Sequence, residues 1–363
     1  MKSLLDKKNS YILRGVAILL IALHNFVHLS FWGFTSENEM EFSYENVARF
    51  SLALESWNHI VVEFISYLGW IGVPVFIFFT GYGMSLSLPK DKMISVKRKD
   101  SIKRVYLKLL ALMLPAILFY IGVDIIKGEV WPEILKRLSY LAMITNWAYP
   151  YLNLSPGVYW YFGLTFQFYL IWILFRQYLN GRNLIVLSAL SLMGLLGVLN
   201  YASPEVISIY RHNFTGWFPV FAIGVYSGMN TSRKKFWSYS IWLELLLLVG
   251  LLGCIVIISK WVVTWLFLPI VALAWFLIVG MLLMRSYYLS SLFTWIGKLS
   301  ACIFVCHPIA RTIVLNVLHP VCPDLLVNVF AYLMLTMVIT LFYDKLYNWF
   351  FWFLIKFLPQ KTH

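Results

Sequence analysis

Charged residues are scarce in this 363-residue sequence: they make up 12% of the chain, whereas hydrophobic residues make up 61%. A soluble domain of this length carries roughly twice that share of charge. Low-complexity linkers and internal repeats are also lacking. Apolar runs long enough to cross a bilayer recur along almost the whole chain instead. We therefore predict an all-α, polytopic membrane protein.

Cysteine is rare as well, and the four that occur do not form the pattern of a secreted disulfide framework. Cys254, Cys302 and Cys306 lie inside apolar runs, so we interpret them as small residues of helix packing. Cys302 and Cys306 share a helix face next to His307, but no further ligand is found in the sequence. We predict no metal site.

Acidic residues number 16 against 29 lysines and arginines, which gives a formal net charge of +13. Most of the excess lies in short segments between apolar runs, where basic residues set membrane orientation. We therefore expect membrane lipids as partners and no nucleic acid. The first apolar run carries Arg14, His24 and His28 and lacks a small-x-small cleavage site, so it does not have the pattern of a cleavable signal peptide.

Hydropathy predicts about ten transmembrane helices. Their predicted bounds are 12–32, 64–88, 105–126, 158–175, 184–200, 214–229, 239–257, 262–284, 292–316 and 323–343. The stretch 134–147 is apolar but contains Lys136 and Arg137, and we expect it to be interfacial or re-entrant.

The charges that flank these spans predict that both termini are cytoplasmic. The N-terminal segment and the loop "KDKMISVKRKDSIKR" (residues 90–104) are basic, whereas the first outer segment is acidic. The flanking charges are Lys2, Lys7 and Lys8 on the inner side and Glu37, Glu39, Glu41, Glu45 and Glu55 on the outer side. Residues 1–344 are predicted to form the transmembrane domain, and residues 345–363 an amphipathic cytoplasmic tail.

Polar residues interrupt the first predicted helix, in "RGVAILLIALHNFVH" (residues 14–28). A polar side chain within a span is costly and indicates a functional site by default. His24 and His28 are four residues apart and share a face. At about 100° per residue, both histidines and Asn25 lie within ~80° of Arg14 around the helix. The resulting polar stripe favours a cavity or a substrate path over a lipid-facing surface.

The segment "LRGVAILLIALH" (13–24) resembles the opening of the acyltransferase-3 family of bacterial membrane O-acyltransferases. Five further segments are similar to later blocks of that family, in the same order: "WIGVPVFIFFTGYGMSLS" (70–87), "VKRKDSIKRVYLKLLALMLP" (96–115), "VYWYFGLTFQFYLIW" (158–172), "WFPVFAIGVYSG" (217–228) and "WIGKLSACIFVCHPI" (295–309). The resemblance covers nearly the whole chain. It implies a multi-pass protein of the bacterial cytoplasmic (inner) membrane. It also implies transfer of an acyl group, usually acetyl, from a cytoplasmic acyl-CoA to a glycan hydroxyl.

Two positions depart from the family pattern. The family usually separates its arginine and its catalytic histidine by ten residues, which would place the histidine at position 25, where this sequence has Asn25. The resemblance therefore carries the catalytic role to His24, with His28 as the reserve candidate. Thr165 and Phe166 stand where the family often has a glutamate, so no carboxylate role is transferred to this segment.

Clustered cations precede the third predicted helix. They are Lys97, Arg98, Lys99, Lys103, Arg104 and Lys108. Two interpretations stay open: these residues set the topology and bind anionic lipid, or they also bind the phosphates of acetyl-CoA. Arg14, near the inner end of the first helix, either snorkels to the headgroups or contributes to the same donor site.

Other polar and aromatic residues are candidates for an acceptor pocket. His307 and Arg311 lie one turn apart on one helix face, and Pro308 between them can break the helix and expose backbone groups to a cavity. The remaining pocket candidates are Asn25, Trp160, Gln167 and Tyr169. For all of these, ordinary helix packing is the alternative.

Two acidic residues, Asp124 and Glu244, lie near the ends of predicted spans, and we expect both to be solvated.

The resemblance and the polar stripe favour an integral-membrane O-acyltransferase. An intramembrane histidine suits the role of general base, because the pKa of imidazole lies near neutrality. We expect acetyl-CoA or another acyl-CoA as the donor, a glycan or glycolipid of the cell envelope or an exopolysaccharide as the acceptor, and no permanently bound cofactor. The alternatives are an exporter of lipid-linked sugars, or a non-catalytic membrane protein on the same scaffold. The oligomeric state is not predicted.

Overall fold

The computed structural model describes residues 5–32, 42–56, 59–87, 98–128, 131–147, 157–230 and 240–355. Within these ranges the chain forms helices and no strands. Eight helical segments there are long and apolar enough to span a membrane: Lys7–Leu29, Ile60–Ser87, Arg98–Ile126, Gly157–Tyr178, Gly181–Tyr201, Ile241–Ile258, Ser300–Leu318 and Leu325–Phe353. The prediction of an all-α, polytopic membrane protein is confirmed. The orientation of the termini stays a prediction.

We number the α-helices of the described residues in chain order. They are α1 (Lys7–Trp32), α2 (Tyr44–Ser56), α3 (Ile60–Leu68), α4 (Val73–Ser87), α5 (Arg98–Ile126), α6 (Trp131–Leu138), α7 (Trp160–Phe175), α8 (Gly181–Tyr201), α9 (Pro204–His212), α10 (Phe214–Met229), α11 (Ile241–Ile258), α12 (Val262–Trp265), α13 (Leu268–Met284), α14 (Tyr287–Lys298), α15 (Ser300–Ile313) and α16 (Leu325–Ile355). A 3₁₀ turn, Gly69–Gly72, joins α3 to α4, and a π-helical turn, Val314–Leu318, follows α15.

Polar caps and prolines mark several helix starts. The hydroxyl groups of Ser240 and Ser286 accept hydrogen bonds from the backbone amides of Leu243 and Leu289, which satisfies amides in the first turns of α11 and α14. Pro204 occupies the first position of α9, where a missing N–H costs nothing. These starts follow from local sequence alone.

Two of the predicted spans are divided in the structure. The span predicted at 214–229 coincides with α10, a 16-residue helix, whereas the span predicted at 262–284 is divided between α12 and α13. The span predicted at 292–316 is broken at Leu299, which separates α14 from α15. Lys298 and Ser300 flank the break, but the apolar residues on both sides gave a single predicted span. Gly297, two residues earlier, packs against the backbone of α1, which is a tertiary contact.

The ends of the chain and its loops leave some predictions untested. Among the topology-setting charges, Lys2, Glu37, Glu39, Glu41 and Lys97 lie outside the described residues. Helix α16 continues without interruption through residue 344 as far as Ile355, and residues 356–363 lie outside the described part. A separate cytoplasmic tail at 345–363 therefore stays a prediction, as does an interfacial position for 134–147.

The chain divides into two compact units. Unit 1 comprises residues 1–86, 184–201 and 217–300, and unit 2 comprises residues 87–183, 202–216 and 301–363. Each unit is thus assembled from segments that are distant in sequence, which apolar periodicity does not predict.

Helix α1 is the central element of unit 1, where it packs against α3, α13, α14 and the 3₁₀ turn. Two glycines allow the contact with α14: Gly15 faces the carbonyl of Phe293, and Gly297 faces the carbonyl of Tyr11. A Cβ atom at either glycine would overlap that carbonyl oxygen. Small residues bring helix backbones into close contact in membranes, where burial of apolar surface supplies little drive.

Tyrosine hydroxyl groups join separate elements within each unit. In unit 2, Tyr159 donates to the carbonyl of Val305 and Tyr343 to that of Leu112, both at 2.7 Å. In unit 1, Tyr67 donates to the carbonyl of Ser259 at 2.7 Å. A backbone carbonyl has a second lone pair beyond its helical bond, so these contacts add to the helices without breaking them.

The expectation that Asp124 and Glu244 are solvated is wrong. Asp124 is buried on α5, and Arg137 of α6 binds both of its carboxylate oxygens, at 2.7 and 3.0 Å. Glu244 is buried on α11, and Arg285 binds both of its oxygens at 2.8 Å. Arg137 lies 13 residues from Asp124, and Arg285 lies 41 residues from Glu244, so local hydropathy did not indicate the pairs.

Candidate active site

Three of the polar residues of α1 are buried together inside unit 1. His24, Asn25 and His28 are 2%, 3% and 0% exposed. The amide of Asn25 donates to the carbonyl of Ile21, one turn earlier, at 2.9 Å. The stripe predicted on this helix is therefore buried in protein rather than exposed to lipid.

Arg14 lies at the other end of this stripe. Its Nε donates to the carbonyl of Ser10 at 3.3 Å, and its guanidinium lies 4.7 Å from the centre of the Tyr11 ring. His24 lies ten positions after Arg14, which is about 15 Å along a helix. A role for Arg14 in donor binding stays a prediction.

The ring of His24 is fixed by a backbone carbonyl. Its Nδ1 lies 3.1 Å from the oxygen of Ile65, and a carbonyl oxygen only accepts, so Nδ1 carries the proton. The Nε2 of His24 then holds a lone pair, and it has no hydrogen-bond partner among the described residues. This tautomer is the form that accepts a proton at Nε2.

Gly69 makes room for His24. A Cβ atom on Gly69 would lie 2.5 Å from the Cβ of His24, too close for any other residue at this position. The 3₁₀ turn that begins at Gly69 therefore approaches α1 directly beside the histidine. The "GWIG" segment thus positions the site in addition to linking two helices.

His28 lies one turn after His24 and binds a side chain of α3. Its Nδ1 is 2.9 Å from the hydroxyl oxygen of Ser66, which is fully buried. The rings of His24 and His28 stack with their centres 5.5 Å apart and their planes at 25°. The two histidines are thus held by adjacent residues of α3, Ile65 and Ser66.

Arg49 of α2 and Glu63 of α3 are two residues that the sequence did not indicate as part of the site. Arg49 of α2 donates from Nε to the carboxylate of Glu63 at 3.1 Å, and from a terminal nitrogen to the hydroxyl of Ser66 at 3.4 Å. Glu63 is 3% exposed. The sequence showed Arg49 as the one cation among acids, and the helical spacing of apolar residues in "YENVARFSLALES" was the signal that this segment folds back.

Three predicted pocket residues lie in unit 2. Gln167 donates to the side-chain oxygen of Asn213 at 2.6 Å and accepts from the amide of Phe214 at 3.0 Å. It thereby caps the start of α10. Trp160 is buried with its ring 4.9 Å from the ring of His212, edge to face, and Tyr169 is half-buried. Their role as acceptor contacts stays a prediction.

Buried amides surround His212 and form a network that the sequence did not reveal. Asn146 and Asn213 bind each other, since Asn146 donates to the Asn213 side chain at 2.7 Å and Asn213 donates to the Asn146 carbonyl at 3.1 Å. The Nδ1 of His212 donates to the carbonyl of Ser208 at 2.8 Å. The network fixes the junction of α9 and α10 to α7.

His212 should make the protein less stable in acid. Its burial lowers its pKa from 6.5 to about 4, and the charge of Arg211 acts in the same direction. Between these values the unfolded chain binds a proton that the folded chain does not, so stability is lost as the pH falls from 6.5 towards 4. The loss at pH 5 is on the order of 2 kcal/mol. Thermal unfolding in detergent at pH 7 and pH 5 measures it. A His212→Gln variant should show a smaller difference between the two pH values, and an unchanged difference contradicts the prediction.

His307 and Arg311 are both buried on α15, in unit 2. The Nδ1 of His307 donates to the carbonyl of Ile303 at 3.2 Å, and its Nε2 has no hydrogen-bond partner among the described residues. Pro308 lies inside the helix without ending it, and the π-helical turn follows Arg311 closely. A pocket role for His307 and Arg311 stays a prediction.

The cations predicted to bind the donor lie at the start of α5. Arg98, Lys103 and Arg104 are all exposed. The site residues predicted from the sequence are therefore divided: His24, Asn25, His28 and Arg14 belong to unit 1, and the donor and remaining pocket candidates belong to unit 2. In the described part of the chain, no three His, Cys, Asp or Glu residues are grouped as a metal site.

One comparison with known proteins gives a match. The family model Acyl_transf_3, described as an acyltransferase domain, matches residues 10–357. No curated protein and no solved structure matches the chain significantly. The match includes both histidines of α1, the basic start of α5 and the "HP" segment of α15.

Proposed function

Since the chain belongs to the acyltransferase-3 family of membrane acyltransferases, we propose that it O-acetylates a glycan of the cell envelope or an exopolysaccharide. Acetyl-CoA is the donor, and the protein acts in the bacterial inner membrane without a permanently bound cofactor. The observation that supports this chemistry is the state of His24. Its Nδ1 is engaged by the Ile65 carbonyl, which leaves Nε2 as a buried proton acceptor.

In the proposed reaction, Nε2 of His24 removes the proton from the acceptor hydroxyl while the hydroxyl oxygen attacks the carbonyl carbon of the thioester. The carbon–sulfur bond then breaks, and the acyl group is joined to the acceptor as an ester. The CoA thiolate leaves and takes the proton back from the imidazolium. Every atom and charge is accounted for by donor, acceptor and one histidine, so the scheme needs no redox step.

The donor side of the proposal depends on the exposed cations of α5. Phosphate groups bind clustered lysine and arginine through charge-assisted hydrogen bonds. Arg98, Lys103 and Arg104 are exposed at the start of α5, so their charges are accessible to such groups. Acetyl-CoA carries several phosphate charges, so each of these cations strengthens its binding.

Reversing the charge at Arg98 and Arg104 (Arg98→Glu with Arg104→Glu) should raise the KM for acetyl-CoA by tenfold or more, because each lost charge-assisted bond is worth about 1.5–3 kcal/mol. Initial rates over a range of acetyl-CoA concentrations measure this. The matched control is Arg182→Glu, an exposed basic residue at the start of α8. If the KM is unchanged while the orientation of the protein changes, the cations determine topology only.

The overall proposal is tested with purified protein in nanodiscs, supplied with acetyl-CoA labelled in the acetyl group and with glycan extracted from the cell envelope. We expect label to enter the glycan in an ester that mild base releases. Transport of the glycan without incorporation of label would favour an exporter instead. Incorporation that is equal in a His24→Ala variant would refute the role of His24 while leaving the transferase activity established.

A further inference from the structure

The hydroxyl group of Ser66 contacts both His28 of α1 and Arg49 of α2. It lies between His28, at 2.9 Å from Nδ1, and Arg49, at 3.4 Å from a terminal nitrogen. Ser66 is fully buried, so its hydroxyl hydrogen is not satisfied by bulk water. The acceptor of that hydrogen determines which ring nitrogen of His28 carries a proton.

The hydrogen-bonding capacity of Arg49 and His28 determines whether Ser66 donates to His28 or accepts from it. A guanidinium only donates, so Arg49 occupies a lone pair of the Ser66 oxygen. Within the residues that the structure describes, the one acceptor that the Ser66 hydroxyl contacts is Nδ1 of His28. If His28 donated from Nδ1 instead, the buried hydroxyl hydrogen would be left without an acceptor, which is energetically costly. Ser66 therefore donates, and neutral His28 carries its proton on Nε2.

The two stacked histidines then have opposite tautomers. His24 carries its proton on Nδ1, because a carbonyl accepts there, and His28 carries its proton on Nε2, because a hydroxyl donates at its Nδ1. At their Nε2 atoms the pair presents one acceptor and one donor. Acyl transfer needs both a base for the hydroxyl group and a donor for the oxyanion that develops on the thioester carbonyl.

We propose that Arg49 and Ser66 are positioning residues that make His28 the hydrogen-bond donor to the acyl oxygen, beside His24 as the base. This inference rests on the proposed acyl transfer. Glu63 belongs to the same arrangement, because its buried carboxylate holds Nε of Arg49 and leaves a terminal nitrogen directed to Ser66. Helix α2 thus acts on His28 through its own Arg49 and through Ser66 of α3.

Kinetics of four variants test the positioning. Ser66→Ala should lower kcat about tenfold to a hundredfold and leave the KM for acetyl-CoA unchanged, while Ser66→Thr, which keeps the hydroxyl group, should restore most of the rate. His28→Gln should retain more activity than His28→Asn, because the longer amide places an N–H near the position of Nε2. Equal rates for Gln and Asn at position 28, or no rescue by threonine, would overturn the donor role.

Nitrogen NMR of protein labelled with ¹⁵N-histidine tests the tautomers directly and needs no activity. The seven histidines are assigned by removing them one at a time. In the wild type we expect His24 as the Nδ1–H form and His28 as the Nε2–H form. Ser66→Ala should shift the His28 signals towards the other tautomer and leave those of His24 in place. Ser56→Ala, on the exposed side of α2, is the matched control and should change neither.

The two measurements separate the possible failures. A wild-type His28 in the Nδ1–H form refutes the inference whatever the enzyme does. If the tautomers are as expected but no acyl transfer is found with any acceptor, the proposed function fails and the arrangement of Arg49, Ser66 and His28 stands as a structural result.

Discussion

Replacing His24 by alanine should lower the rate of acyl transfer by about 10²- to 10⁴-fold, the range that a positioned general base contributes. The reason is geometric. Nδ1 of His24 is bound to the Ile65 carbonyl, so the imidazole is held in the form whose Nε2 accepts a proton. The measurement is the initial rate of label transfer from acetyl-CoA to glycan, with the protein amount and monodispersity matched between variants.

Two further variants make this result specific. His24→Gln keeps a side chain of similar length but has no group that takes up a proton, so its loss should be nearly as large as that of alanine. His319→Gln, a partly exposed histidine beyond the π-helical turn, is the matched control and should retain the rate. If His24→Ala retained normal transfer and His28→Ala abolished it, the base would be His28.

Replacing Gly297 by alanine should destabilise the protein more than any other addition of a single methyl group in unit 1. The new Cβ would overlap the carbonyl oxygen of Tyr11. A backbone atom held in α1 cannot rotate away as a side chain can, so α1 and α14 must separate. Overpacking costs typically 1–3 kcal/mol, and we expect about 3 kcal/mol or more here. The midpoint of thermal unfolding in detergent, followed by loss of the monodisperse peak, measures the effect.

Gly253 of α11 supplies the control for this experiment. A Cβ atom there meets nothing within 4 Å, and alanine favours a helix over glycine by about 1 kcal/mol. Gly253→Ala should therefore leave the midpoint unchanged or raise it. A Gly297→Ala protein that is as stable as the wild type would show that the contact between α1 and α14 is looser than the glycine pair indicates.

Much of the fold was predictable because it depends on local properties of the chain. Long apolar runs give membrane helices, and the spacing of four residues between His24 and His28 places them on one face. The break at Leu299 was not predictable in this way, since it separates two helices within one largely apolar segment. The burial of Asp124 and Glu244 was missed for a related reason: each acid is bound by an arginine that is distant in sequence.

The residues of the candidate site also divide into those that local sequence predicts and those that depend on tertiary contacts. The two histidines were found from the sequence because polar residues in a span are rare and costly. Arg49, Glu63 and Ser66 were missed because their roles depend on the packing of α2 against α3 and of α3 against α1. Gln167 was assigned to the pocket by its place in a family block, whereas its amide is engaged by Asn213 and Phe214.

The length of α16 has a consequence for how the protein sits in a bilayer. Its 31 residues correspond to about 46 Å, whereas the hydrocarbon core of a bilayer is about 30 Å thick. Trp349 and Trp352, near its end, are 62% and 60% exposed, and tryptophan favours the headgroup level. Asp344 and Lys345 interrupt the apolar sequence of the helix, and the apolar part before them, residues 325–343, is about 28 Å long, which matches the hydrocarbon core. We therefore expect one continuous helix to cross the bilayer and to extend along the headgroup region with its tryptophans.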